Sequence, residues 1–216
     1  IHPSKFVNKA VPVAEEIIYE AKHKFMDFPF NETLQNNIIS KGYITPSPIQ
    51  DQTIPLILEG KDVIGLANTG TGKTAAFAIP IIHLIEKAGV GQGVQAIVMV
   101  PTHELAIQIT EVFDKLAKYT SVTTLGIYGG VDQDPQIEKL HQGVDIVIAT
   151  PGRVFDLVNQ GYLKLREIKV LVLDEADLML DLGFYKDIED LIKYLPRHRQ
   201  TLFFSATMPP EIEKLA

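Results

Sequence analysis

Six short apolar runs punctuate the chain: Asp62 to Ala67, Ala96 to Val100, Thr123 to Tyr128, Asp145 to Ala149, Val170 to Asp174 and Thr201 to Ser205. Most lack the apolar–polar alternation of a strand with one wet face, which predicts strands covered on both sides. Helical periodicity fills the stretches between them. The clearest helix follows Pro101 and Thr102. Leu105, Ala106, Ile109, Val112, Phe113, Leu116 and Ala117 recur at helical spacing, Glu104, Gln108, Glu111, Asp114, Lys115 and Lys118 take the opposite face, and Thr102 is placed as the N-cap. Alternating strands and helices of this kind predict an α/β fold, a mostly parallel sheet flanked by helices on both faces. With no internal repeat, low-complexity tract or long linker, one domain is expected over residues 25–216. Residues 1–24 differ: Ala14 to Lys24 reads as a separate short helix in an N-terminal arm without assignable chemistry. A further helical pattern opens at Pro209 and is cut off at Ala216, so the chain is read as a fragment of a longer protein.

Composition narrows the class. Across 216 residues, 46% hydrophobic and 22% charged side chains are enough for a sizeable core and exclude disorder. The longest apolar run, Ala75 to Ile85, is interrupted by Pro80 and His83 and falls short of the roughly 20 residues a bilayer requires, so no membrane partner is expected. Absence of cysteine excludes disulfides, thiolate catalysis and Cys-ligated zinc, and the six histidines show no paired ligand spacing. The opening Ile1-His2-Pro3-Ser4-Lys5 carries no signal-peptide pattern, which makes a cytoplasmic location the expectation. A net charge of −7 argues against nucleic acid until its distribution is considered. Seven acids between Asp174 and Asp190 face only Lys186, a local balance of −6 that leaves the remainder nearly neutral.

Specific chemistry begins after the first run, at Ala67-Asn68-Thr69-Gly70-Thr71-Gly72-Lys73-Thr74. Glycines that turn backbone N–H groups toward an anion, a following helix with its positive N-terminal end, a lysine and a hydroxyl for Mg²⁺ make a phosphate loop. Ala67 stands where the general pattern has Gly. A second site lies at the end of the run Val170 to Leu173, where Asp174-Glu175-Ala176-Asp177 places acids at the C-terminal edge of a buried strand. Asp174 is placed to hold Mg²⁺ and Glu175 to orient and deprotonate an attacking water, a pairing that implies hydrolysis of a γ-phosphate.

In these motifs and their order the chain resembles the first RecA-like domain of a DEAD-box RNA helicase, over Phe25 to Thr207. Gly42 to Gln50 matches that family's Q motif and Phe25 its isolated upstream aromatic. The resemblance implies that Gln50 reads the adenine edge, that Phe25 stacks on the ring, and that Thr69, Gly70, Thr71, Gly72, Lys73 and Thr74 hold the phosphates of ATP. Ser205-Ala206-Thr207 resembles the segment that bonds to the acidic motif, with Asp177 as the partner, and couples hydrolysis to RNA handling. Three segments resemble RNA-contacting loops: Pro101-Thr102-His103-Glu104-Leu105-Ala106, Gly129-Gly130, and Thr150 to Arg153. Backbone amides, threonine hydroxyls and Arg153 there imply sequence-independent contacts to phosphates and sugars.

The implied activity is ATP-dependent RNA duplex unwinding or remodelling of RNA–protein complexes, by a monomer whose second RecA-like domain closes over the nucleotide. Such a domain supplies arginine fingers, so these 216 residues are expected to bind ATP and hydrolyse little. Two departures stand out: His103 replaces the usual Arg after Pro-Thr, which lowers the expected grip on RNA, and Leu178 follows the acidic motif where Arg is common. A DNA-directed or other phosphate-loop NTPase and a non-catalytic helicase-like scaffold are the rival readings.

Overall fold

A computed structural model describes residues 19–215. Six strands form one all-parallel sheet: β1 (Val63–Leu66), β2 (Ala96–Met99), β3 (Thr124–Ile127), β4 (Ile146–Ala149), β5 (Val170–Asp174) and β6 (Gln200–Ser205), in the spatial order β1-β6-β5-β2-β4-β3. Each lies within a predicted apolar run or within a residue of its edge. The last strand in sequence is therefore inserted between the first and the fifth, paired Val63↔Leu202 on one side and Val170↔Gln200 on the other.

Helices cover both faces, as parallel strands require. On one face lie α1 (Glu32–Ser40), α2 (Pro48–Leu58), α3 (Lys73–Ala88) and α4 (His103–Leu116), packed over Val98, Ile148, Val172, Leu202 and Phe204. On the other, α5 (Asp134–Gln142), α6 (Pro151–Asn159), α7 (Ala176–Asp181), α8 (Tyr185–Tyr194) and α9 (Pro210–Leu215) surround Ile97, Val147, Leu171, Leu173 and Phe203. Alternate residues of one strand thus enter two different cores, which explains why the sequence shows no polar alternation. Helix α4 buries Ala106, Ile109, Phe113 and Leu116, and the Thr102 hydroxyl accepts the Leu105 amide at 3.3 Å. Pro80 lies inside α3 without ending it.

The expected helix Ala14 to Lys24 is not found over its described part. Tyr19 to Lys24 carry no helix, and a 3₁₀ turn follows at Phe25–Asp27; residues 1–18 lie outside the described residues. The cause is local to α2. The Asp51 carboxylate captures the amides of Lys22 and His23, at 2.8 and 3.0 Å, and so competes with any helical bonding by those groups. Among the described residues no helix is long and apolar enough to cross a membrane.

Candidate active site and adjoining groove

Parallel strands aim their C-terminal ends at one edge of the sheet, and every motif except the Q-motif segment and Phe25, which precede β1, emerges there. After β1, the phosphate loop leads into α3 through Gly72, whose φ of 93° is left-handed. Glycine is required here for a second reason. A Cβ on Gly72 would lie 2.4 Å from Gln50 Nε2, which donates to the Gly72 carbonyl at 3.1 Å. Gln50 in turn accepts the Ser47 amide at 2.9 Å, the side-chain half of a capping box at the start of α2. The buried Gln50 amide thus fastens the loop and keeps one N–H and one lone pair uncommitted. The loop's own turn is closed by Thr71 Oγ1 donating to Asn68 O at 2.7 Å.

A cleft of about 420 Å³ opens over this loop, lined by Thr69, Gly70, Gly72, Lys73, Thr74, Asp174 and Glu175, with Tyr43 and Gln108 on its walls. The phosphate-loop residues and the acid pair, 100 positions apart in sequence, are therefore brought together. Phe25 is not on the cleft wall. Its ring is 3% exposed in the core, with its centroid 6.1 Å from that of Tyr43. Tyr43, within the Q-motif segment but given no role from sequence, is the aromatic that faces the cleft.

Asp174 ends β5 and is 4% exposed. Burial pushes its pKa up to about 6, aided by the charges of Glu175 and Asp177 and opposed by Lys73 and by the Glu175 amide, which donates at 3.0 Å. A buried carboxyl short of compensating charge, in the same cleft as Thr74, suits a cation. Among the described residues no group of three or more His, Cys, Asp or Glu could hold a metal alone. That donor set fits Mg²⁺, which keeps several waters and shares substrate phosphates, better than a metal held in an all-protein cage. Glu175 adopts φ 52°, ψ 48°, a left-handed conformation costly to a residue with a Cβ, and caps α7.

At the end of β6, Ser205 and Thr207 meet the acidic segment. The Asp177 amide donates to Ser205 Oγ at 3.2 Å, and Asp177 Oδ2 accepts from both Thr207 N and Thr207 Oγ1 at 3.0 Å. Burial alone would raise the Asp177 pKa, but these donors outweigh it and hold the group below its ordinary value. The Ala67 amide donates to Ser205 O at 3.0 Å, so the end of β6 is bonded to the phosphate loop as well.

The three remaining loops follow β2, β3 and β4 and share a groove of about 500 Å³. Pro101, Thr102, His103, Glu104, Gly129, Thr150, Gly152 and Arg153 line it, with Asp156 and Phe184 not foreseen from sequence. Gly130 lies beside it in the same turn as Gly129, with φ 79°. His103 Nε2 is 2.6 Å from Glu104 Oε1, and its ring stacks on Tyr128 with centroids 6.4 Å apart. Arg153 Nη2 donates to Val131 O at 2.9 Å, which commits the guanidinium in part to shaping the glycine turn.

An α/β domain with a phosphate loop, an acid pair and a hydroxyl–carboxylate link on one sheet edge is the architecture of a RecA-like nucleotide-binding domain. The DEAD/DEAH box helicase family model matches residues 47–215, and the chain belongs to that family. It is 50% identical over 192 residues to the ATP-dependent RNA helicase CshA of Limosilactobacillus reuteri, covering 89% of this chain and 38% of that protein. It is 44% identical over 207 residues to the DEAD-box ATP-dependent RNA helicase RhpA of Helicobacter pylori, covering 95% of this chain and 42% of that protein. A crystal structure of a DEAD box protein from the hyperthermophile Methanococcus jannaschii superposes with a TM-score of 0.84 at 41% identity, over 89% of this chain and 52% of that one. The chain thus spans about two fifths of these relatives and half of the solved chain.

Proposed function

We propose that this chain is the ATP-binding half of an ATP-dependent RNA helicase that unwinds RNA duplexes or remodels RNA–protein complexes. The observation that carries the reading is the Asp177–Thr207 link, because it ties the segment directly after the acid pair to the end of the strand inserted between β1 and β5. The relatives' description as ATP-dependent RNA helicases supports it. On this reading Thr69 to Gly72 present amides to the triphosphate, and Lys73 supplies a cation between the β- and γ-phosphates. Gln50 uses its remaining N–H and lone pair on the adenine edge, with Tyr43 beneath the ring and Phe25 packed behind it. Thr74 and Asp174 would hold Mg²⁺, which when bound neutralises charge on the β- and γ-phosphate oxygens. Glu175 accepts the proton of the water that attacks the γ-phosphate.

RNA lies across the groove of Pro101, Thr102, His103, Gly129, Gly130, Thr150 and Arg153, held by amides, hydroxyls and one partly committed guanidinium, so contacts fall on the backbone rather than the bases. A second RecA-like domain of the same polypeptide closes over the nucleotide, and the protein acts as a cytoplasmic monomer. The test is a titration with ATP and with RNA and DNA oligonucleotides of equal sequence. Binding of Mg²⁺-ATP that Lys73→Ala abolishes, with RNA preferred over DNA, is expected. ATP affinity indifferent to Lys73→Ala supports a scaffold, and DNA binding as tight as RNA supports a DNA-directed enzyme; either overturns the proposal.

A further inference from the structure

The first turn of α2 carries two buried polar side chains with different partners. Gln50 holds the phosphate loop; Asp51, the next residue, has no place in the chemistry above. Its side chain is 1% exposed. Oδ2 accepts from Tyr19 Oη at 2.6 Å and from the Lys22 amide at 2.8 Å. Oδ1 accepts from the His23 amide at 3.0 Å and from His23 Nδ1 at 2.7 Å, so Nδ1 is the protonated nitrogen of that ring. Burial would raise the carboxyl's pKa, but these donors outweigh it and lower it to about 2.

What the four bonds restrain is residues 19–23, which have no helix or strand to hold them. Directly beyond, the 3₁₀ turn buries Phe25 against Tyr43, and Tyr43 forms a wall of the nucleotide cleft. A single helical turn therefore fixes the loop that faces phosphates, through Gln50, and the segment that backs the cleft aromatic, through Asp51. This arrangement places Asp51 upstream of the base-binding wall without touching a nucleotide.

We infer that Asp51 is a positioning residue for the nucleobase: by fastening residues 19–23 to α2 it keeps Phe25 behind Tyr43, so recognition of adenine depends on it while recognition of the triphosphate does not. The inference rests on the nucleotide reading above and adds to it the residue that sets the base wall.

The experiment compares Mg²⁺-ATP with inorganic tripolyphosphate, which has the charge but no base, by calorimetric titration of the intact chain and its variants. In Asp51→Asn an NH₂ group replaces one acceptor against donor groups, and the affinity for ATP falls about tenfold while that for tripolyphosphate stays within about twofold. Tyr19→Phe removes one donor and leaves the carboxylate its other three; it gives the same split at about threefold. If Asp51→Asn does not fold, Tyr19→Phe decides by the same criterion. Equal weakening of both ligands shows general loosening and overturns the inference, as does unchanged ATP affinity. A wild-type chain that binds neither ligand overturns the nucleotide reading itself, a result distinguishable from both.

Discussion

Asp174→Asn separates what the active site needs from what the fold prefers. In the ligand-free protein the buried carboxyl has its pKa raised from 3.8 to about 6, chiefly by burial. Between those values the folded state holds a proton that the unfolded chain has released, so stability falls as pH rises through the window and is level above it. At 1.36 kcal/mol per unit, the rise of about two units corresponds to at most about 3 kcal/mol lost to ionisation at neutral pH. Asn removes the charge and keeps an oxygen to accept the Glu175 amide. In denaturant unfolding with EDTA and without nucleotide, the variant is therefore more stable than the wild type at pH 7.5 by up to about 3 kcal/mol, a rise of roughly 6–12 °C in Tm for a domain of this size. Below pH 4 the advantage vanishes, because the wild-type carboxyl is then neutral too. The same variant loses the stabilisation that Mg²⁺-ATP confers on the wild type by mass action. A variant less stable than the wild type at pH 7.5, or one whose advantage is constant from pH 4 to 8, would falsify the reasoning.

Other expectations follow from particular contacts. Gly72→Ala strains a left-handed residue and drives a Cβ into Gln50, whereas Gly70→Ala has similar strain, with φ 84°, but open space around it. Unfolding curves should show Gly72→Ala destabilised by about 2 kcal/mol or more and Gly70→Ala by about 1; equal losses would remove Gln50 from the account. In the full-length protein Thr207→Val deletes one donor to Asp177, and RNA-stimulated ATP turnover should fall roughly tenfold with ATP affinity unchanged. Parallel loss of both in steady-state assays would instead mark Thr207 as part of the nucleotide pocket. His103→Arg should tighten RNA binding and steepen its logarithmic salt dependence by about 0.7, the value for one added phosphate contact to a single strand. Identical salt slopes would place residue 103 off the RNA path.

The sheet was legible because burial on both faces erases alternation, and runs such as Val170 to Asp174 read as continuous apolar stretches whose strand character needs no long-range information. Helix α4 was legible for the complementary reason, a strong stripe with a threonine ahead of it. The phosphate loop and acid pair declared themselves through residue types that few other structures require. What escaped was set by contacts between distant segments. Tyr19 to Lys24 has helical composition, yet a carboxylate 28 or 29 residues away in α2 takes its amides. Phe25 carried no mark of whether its ring would face solvent, ligand or core. Arg153 reads as a free cation, but its partner is a carbonyl 22 residues back, across a glycine turn whose path no local pattern dictates.

The order of strands gives Ser205 and Thr207 their position. Because β6 is inserted between β1 and β5, its C-terminal end is bonded to the phosphate loop through Ala67 N on one side and to the acidic segment through Asp177 on the other. The two bonding residues differ in exposure: Ser205 is fully buried, while Thr207 is exposed. A buried hydroxyl that loses its partner leaves an unsatisfied group, whereas an exposed one exchanges its partner for water at a net cost of about 1 kcal/mol. Ser205 is thus the fixed member of the link and Thr207 the one that can be released. Since β2 lies next to β5, the groove of Thr102, Thr150 and Arg153 begins one strand beyond the acid pair. The end of β5 and the strand whose loop opens that groove are direct neighbours, with no strand between them.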